Sequence, residues 1–256
     1  YKERKEELEA SIYSILNQTY TNIEFIIVID FPEEKWRIDY IKSIDDLRIK
    51  LIINEKNIGL PNSLNEGLKY ETGKYIARMD ADDISKTDRF EKQVKYLEVH
   101  QELEVIGGAI EEMEFDGMLN GKVIRYPLTH DECFRFFATR NPLAHPAVMF
   151  RASFFDKVTS YNASYKKNQD TELWYRAFKA GCKFGNLEDV VLTFRVSKDM
   201  YKRRGGTKFA KEVLKLRNEI NRGLGYSIKA TLFGYAYYVM AISPGWVKKF
   251  AYKVFR

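Results

Sequence analysis

Between Tyr75 and Gln93 the chain reads "YIARMDADDISKTDRFEKQ", with Asp80, Asp82 and Asp83 packed just after a short apolar run. Carboxylates this close repel one another, so the triplet needs solvent, a hydrogen-bonding role or a counter-charge. Counted as a calcium loop from Asp80, the segment supplies oxygen donors at Asp80, Asp82, Asp88 and Glu91. However, Ile84 stands where a fifth-position oxygen is needed, and Ser85 stands where the sharp turn requires Gly. A strand-like run precedes the segment instead of a helix, which excludes that loop. Asp83, Ser85 and Asp88 read as caps of the following helix, since Asp and Ser are favoured there. A cap uses one carboxylate, which leaves Asp80 and Asp82. An Asp-x-Asp at the end of a parallel strand suits Mg²⁺ or Mn²⁺, which bind one or two carboxylates and share the rest of their shell with phosphates.

Composition narrows the alternatives. The 256 residues are 45% apolar and 30% charged, ordinary for a folded soluble chain and ample for one large core. Two cysteines, Cys133 and Cys182, form no close-spaced motif, which argues for a reducing compartment and against a disulfide framework or thiolate metal site. Three histidines make a histidine-rich metal centre an unsuitable reading. Charge is unevenly distributed: residues 195–256 hold 15 Lys and Arg against 3 Asp and Glu, while the preceding 194 residues carry a balance of −6. A basic tail on an acidic body points to an anionic partner surface, membrane or nucleic acid. No signal peptide is visible. The run "ATLFGYAYYVMAI" (230–242) has 13 residues, short of the roughly 20 that span a bilayer.

The elements that must position the triplet follow from periodicity. Leu8, Ile12, Ile15 and Leu16 share a helical face. "IEFIIVID" (23–30), "IKLIIN" (49–54) and "KYIARM" (74–79) are strand-length runs, separated by helical stretches around 34–44 and 60–70, with another over 86–99. Strands without in-out alternation, separated by helices, predict a parallel sheet covered on both faces, with ligands at the strand ends, where Asp30 and Asp80 lie. A strand–turn–strand unit over "EVIGGAIEEMEFDGMLNGKVIRYP" comes next, then a helix near 130–138, a strand at 146–151 and a helix near 169–180. The last sixty residues read as helices near 206–221 and 229–242 and a basic amphipathic end, "WVKKFAYKVFR". On residue type alone, Asp170 reads as an N-cap ahead of "TELWYRAF", Trp174 as core, and Asn57 and Gly59 as turn-formers.

The ordered set "SIYSILNQTYTNIEFIIVID", "NIGLPNSLNEGLKYETGKYIARMDADD", "NPLAHPAVMFR" and "NQDTELWYRAFKAGCKF" resembles the family 2 inverting glycosyltransferases, in particular bacterial enzymes of O-antigen and capsule synthesis. The likeness runs over about Tyr1 to Ser197. It implies an α/β fold of the nucleotide-diphospho-sugar transferase (GT-A, Rossmann-like) type with a mixed sheet: a catalytic domain over 1–197, then a basic helical extension over 198–256. It also implies roles. Asp30 matches the second acid of the family's "VDDGS", which contacts uracil; here the stretch is "VIDFP", with Ile29 for the first Asp. Asp80 and Asp82 match the Asp-x-Asp motif on ribose, metal and diphosphate. Asp170 matches the catalytic base of the "ED" motif, with Gln169 for Glu. Tyr1 matches the Tyr after the first strand and counts among the donor contacts. The first strand itself is then not part of this sequence, and its neighbours are expected to carry unpaired backbone groups.

The implied reaction moves a sugar from a UDP-sugar, galactose or an N-acetylhexosamine, to a glycan acceptor linked to polyprenyl diphosphate. Asp170 deprotonates the acceptor, and Mn²⁺ or Mg²⁺ neutralises the leaving diphosphate. His145, with Pro142 and Pro146 on either side, either lines the diphosphate or acceptor pocket or is a satisfied structural histidine. Arg195, Arg203 and Arg204 read as a solvated basic segment, with diphosphate contact as the alternative. The tail suits an anionic membrane face, placing the protein in the cytoplasm at the inner surface of the cell membrane. No helix-turn-helix, zinc or RNA-binding signature supports a nucleic-acid partner. Two other functions remain to be separated: a sugar-nucleotide nucleotidyltransferase, which needs a Gly-rich loop that "YKERKEELEA" lacks, and a non-catalytic nucleotide-sugar-binding or scaffolding remnant, which binds donor without turnover.

Overall fold

A computed structural model describes residues 4–196 and 206–243. Helix α1 (Lys5–Leu16) opens with the Arg4 backbone N–H donating to Glu7 Oε2 at 2.9 Å, and buries the Leu8, Ile12, Ile15 and Leu16 face. Strands β1 (Phe25–Ile29) and β2 (Ile49–Ile53) pair in parallel, Phe25 opposite Ile49 through Ile29 opposite Ile53. Helix α2 (Lys35–Lys42) crosses between them, and α3 (Leu60–Leu68) packs on β1.

A second sheet holds the remaining strands: β3 (Tyr75–Ala77), β4 (Ile84–Ser85), β5 (Val105–Met113), β6 (Leu119–Ile124), β7 (Met149–Arg151) and β8 (Phe184–Arg195). Their order is β3-β7-β5-β8-β4, with β6 also on β5. Only β5 and β8 run parallel; the other pairs are antiparallel. The all-parallel expectation for the first half is therefore corrected: β3 joins β7, antiparallel, and not β1. The cause is long-range, because Met149–Arg151 returns from far along the chain to pair with β3. Among the described residues β1 pairs only with β2, and β3 is an edge.

Helices α4 (Arg89–Val99), α5 (His130–Phe137), α6 (Ser153–Val158) and α7 (Gln169–Lys179) cover the larger sheet. The main core is aromatic: Phe137, Phe150, Phe154, Trp174, Phe178 and Phe184 are buried together, with the Phe178 and Phe184 rings stacked at 4.0 Å. Helix α8 (Thr207–Gly223) inserts Leu216 and Ile220 into the same cluster, and α9 (Ile228–Ile242) folds back on α8. Cys133 and Cys182 are buried free thiols.

The paired glycines of "VIGGAI" are explained where β5 meets an irregularity of β8. A Cβ on Gly108 would lie 2.8 Å from Val191 Cγ2 and 3.2 Å from the Asp189 carbonyl oxygen. The register between the strands shifts at this point. Gly108→Ala is therefore expected to destabilise the chain by about 1–3 kcal/mol, as overpacking does, seen as a lower urea midpoint at unchanged slope.

Candidate active site

The acidic triplet follows β3, and its backbone is held from three directions. Ser11 Oγ of α1 donates to the Asp80 carbonyl at 3.3 Å, Arg195 Nε of β8 donates to the Asp82 carbonyl at 3.0 Å, and the Asp83 N–H reaches the Asp80 carbonyl at 3.3 Å. Behind them Arg89, fully buried, donates to the Arg78 carbonyl at 2.9 Å and the Val148 carbonyl at 3.1 Å, locking β3 to β7 just ahead of the triplet. Burial lowers the Arg89 pKa to about 9, so it stays charged at neutral pH.

Held this way, Asp80, Asp82 and Asp83 bring carboxylate oxygens within 4.8 Å of one another. Both oxygens of Asp80 pair with the Arg78 guanidinium, Nη1 donating to Oδ2 at 3.1 Å and Nη2 to Oδ1. Asp83 is fully buried; its Oδ1 accepts from the Arg195 N–H at 2.9 Å, and its Oδ2 has no partner. Burial, then the charges of Asp80 and Asp82, raise its carboxyl well above the ordinary carboxylate range. The donor set fits a hard divalent cation: every donor is a carboxylate oxygen, one is buried without a partner, and a cation relieves the repulsion.

Three capping assignments are corrected. Asp83 does not cap α4; short β4 intervenes and turns its side chain onto β8. Ser85 accepts from Gln18 Nε2 at 3.2 Å, and Asp88, at the N-cap position, makes no capping hydrogen bond and pairs with Lys92 at 2.9 Å. Arg195 is buried and hydrogen-bonded to the triplet, so it is no solvated segment; Arg203 and Arg204 lie outside the described residues.

Asp170 is not a cap either. Asn168 holds that position with φ 60°, and Asp170 falls in the first turn of α7, where the helix dipole favours a carboxylate. Half-buried, it accepts from Asn141 Nδ2 at 2.9 Å through Oδ2. Next to it Tyr161 is buried, with a hydroxyl that burial raises well above its ordinary value and that feels the charges of Arg78, Asp170 and Asp80. Trp174, as expected, is core.

His145 opens a 3₁₀ turn (His145–Ala147); its Nε2 lies 2.9 Å from the Tyr161 hydroxyl and its ring packs edge-on against Tyr161 and Trp174. Burial, then the Arg78 charge, holds its pKa well below the ordinary 6.5, so the imidazole is neutral. Below pH 6.5 the unfolded chain takes a proton here that the folded chain refuses, so stability is full above that pH and declines as pH falls. His145→Asn is expected to flatten this acid slope in urea unfolding between pH 5 and 7.5 (about the window of a shifted imidazole), whatever it does to stability at neutral pH.

Asp30 sits on the separate two-stranded sheet, directly after β1. Its Oδ1 accepts from Asn54 Nδ2 at 2.9 Å and the Ile58 N–H at 2.8 Å, and its Oδ2 from the Gly59 N–H at 2.9 Å. The carboxylate thereby fixes the loop ahead of α3, whose N-cap Gly59 needs φ 84°. Tyr1 lies outside the described residues. The sequence reading overlooked Arg78, Asn141 and Tyr161. Arg78 stood beside the triplet and Asn141 opened "NPLAHPAVMFR", but neither pairing is encoded in local spacing.

Comparisons with known proteins identify the family and the fold. The sequence model of Glycosyl transferase family 2 matches residues 1–159. The chain is 35% identical over 219 residues to the amylovoran biosynthesis glycosyltransferase AmsE of Erwinia amylovora, covering 84% of this chain and 80% of that protein. It is 32% identical over 176 residues to the UDP-Gal:alpha-D-GlcNAc-diphosphoundecaprenol beta-1,3-galactosyltransferase of Escherichia coli, covering 69% of this chain and 63% of the relative. Among solved structures, S. aureus TarS 1-349 in complex with UDP-GlcNAc superposes with a TM-score of 0.62 at 16% identity, over 95% of this chain and 79% of that one. TarS 1-349 with UDP gives 0.61 at 18% identity, over 85% and 65%. The mixed sheet between helices is thus the GT-A, Rossmann-like fold, and the chain belongs to glycosyl transferase family 2.

Proposed function

We propose that this glycosyltransferase transfers a hexose or N-acetylhexosamine from a UDP-sugar, with inversion, to a lipid-linked glycan acceptor in cell-surface polysaccharide synthesis. The observation that carries the reading is the carboxylate triplet held within 4.8 Å at the end of β3 in a family 2 chain. The named relatives in amylovoran synthesis and UDP-galactose transfer support the substrate class.

Asp170 takes the proton of the acceptor hydroxyl. The hydroxyl oxygen forms a bond to the anomeric carbon on the face opposite the diphosphate, and the bond from that carbon to the phosphate oxygen breaks, its electron pair leaving with UDP. Asp80 and Asp82 would hold Mn²⁺ or Mg²⁺, which supplies charge neutralisation for the leaving diphosphate. Arg78 balances Asp80, and Arg195 anchors the Asp82 carbonyl and the Asp83 carboxylate. Asp30 sets the loop that borders the nucleobase region, with His145 backing Tyr161 as a neutral packing group.

The acceptor class accounts for the C-terminal helices. On α9, Ile228, Leu232, Tyr235, Val239 and Ile242 recur at helical spacing and are all exposed, while Ala230 and Gly234 face α8. Such a stripe, on a helix pair that also exposes Lys208, Lys211, Lys215, Arg222 and Lys229, suits broadside docking on an anionic membrane face from the cytoplasmic side. Among the described residues no helix is long and apolar enough to cross a membrane. Binding to phosphatidylglycerol vesicles over phosphatidylcholine ones is expected, and its loss in Leu232→Glu with Val239→Glu; equal binding to both vesicles would contradict it.

The test of the activity is UDP release with a panel of UDP-sugars and a synthetic polyprenyl-diphosphate-linked sugar, with Mn²⁺ present and the product anomer read by NMR. Inverted product supports the proposal. Donor binding with no turnover on any acceptor would favour a non-catalytic binding role.

A further inference from the structure

The shorter of the hydrogen bonds to Asp170 reaches Oδ2, from a side chain whose own orientation is set by its neighbour. Thr171, buried in the first turn of α7, has one hydroxyl proton; its Oγ1 lies 3.0 Å from Asn141 Oδ1 and 3.5 Å from Asp170 Oδ1. The shorter contact takes the proton, and an amide whose Oδ1 accepts there must direct Nδ2 the other way. That Nδ2 meets Asp170 Oδ2 at 2.9 Å. Asn141 is itself held by a fixed loop: the next residue's carbonyl, Pro142, accepts at 3.0 Å from Asn186 Nδ2, a fully buried side chain on central strand β8 that also binds the Pro127 carbonyl at 2.6 Å.

We infer that Asn141, oriented by Thr171, is a positioning residue that fixes Asp170 by Oδ2 and presents Oδ1 to the acceptor hydroxyl. The inference rests on the reading of Asp170 as the base. A donor on one oxygen stops the carboxylate rotating, so the same oxygen always faces the acceptor. Among the described residues, Arg217 of α8 has a cation that feels Asp170, and Tyr161 feels Asp170 together with Arg78 and Asp80. The Glu172–Arg176 pair, at 2.7 Å, lies on α7 itself. Arg217 reaches the Phe137 carbonyl, and Tyr161 engages His145, so the hydrogen bond to Oδ2 comes from Asn141.

The experiment measures kcat, donor KM and UDP affinity separately for the wild type, Asn141→Ala, Thr171→Val, Thr171→Ser and Asp170→Asn. Asn141→Ala is expected to lower kcat by about 10–100-fold, the worth of a hydrogen bond to a charged group. Donor KM and UDP affinity should stay unchanged. Thr171→Val should lower kcat in the same way, and Thr171→Ser should restore it. Asn141→Ala with wild-type kcat, or with UDP affinity falling in step with kcat, would overturn the inference. Asp170→Asn that keeps turnover would instead remove the base assignment itself, which separates the two failures.

Discussion

Asp170→Asn is expected to lower kcat by about 10²–10⁴-fold, the usual contribution of a positioned general base, while UDP affinity and thermal stability stay close to the wild type. The geometry makes the substitution clean. The carbonyl oxygen of the new side-chain amide can still accept from Asn141, so the loop contact, 2.9 Å in the wild type, is retained. The position is a half-buried first turn, not a cap, so α7 keeps its start. What is lost is the capacity to take a proton, together with one negative charge at the start of α7. Measured at saturating donor and acceptor, a fall of less than about tenfold would remove Asp170 from the reaction.

Asp82→Asn has the second large effect, with opposite consequences for activity and stability. Removing one carboxylate from a set within 4.8 Å weakens the hold on a divalent cation, and kcat/KM for the donor is expected to fall by about 10²–10³-fold, the scale of losing one electrostatic stabiliser. Without cation, however, the same change raises the melting temperature. Asp83 is buried with its carboxyl pushed up by burial and by the Asp80 and Asp82 charges, so deleting one of those charges relieves it. A melting temperature unchanged or lowered in chelator would contradict the repulsion that motivates the cation. A protein that loses stability to keep three acids together shows the trade expected of a functional site.

The elements were legible where local periodicity decides. The helix at 169–180, the strands at 23–30 and 49–54 and both tail helices emerged as α7, β1, β2, α8 and α9 within a few residues. The long strand β8 was not legible. "FGNLEDVVLTFR" carries Gly185, Asn186 and Asp189, which read as turn residues. In the fold each is used: a Cβ on Gly185 would lie 2.9 Å from Leu103 Cδ1, Asn186 pins two loops, and Asp189 pairs with Lys92 at 2.8 Å. Tertiary packing overrode propensity there. The site divides in the same way. Asp80, Asp82 and Asp170 stand out by charge and motif. The partners that set their behaviour, Arg195 on the triplet and Asn141 on Asp170, come from distant segments and depend on loop paths that spacing does not encode. Asp30 was readable as a strand-end acid; its bonds to Ile58 and Gly59, which brace the next loop, were not.

The most direct test of the central claim is calorimetric titration of UDP into the purified chain, with and without Mn²⁺, on the wild type and on Asp82→Ala. Binding that requires Mn²⁺ in the wild type and disappears in Asp82→Ala is the predicted result and ties the triplet to a nucleoside diphosphate. Binding that is equal with and without Mn²⁺, that survives Asp82→Ala unchanged, or that is absent throughout would contradict it.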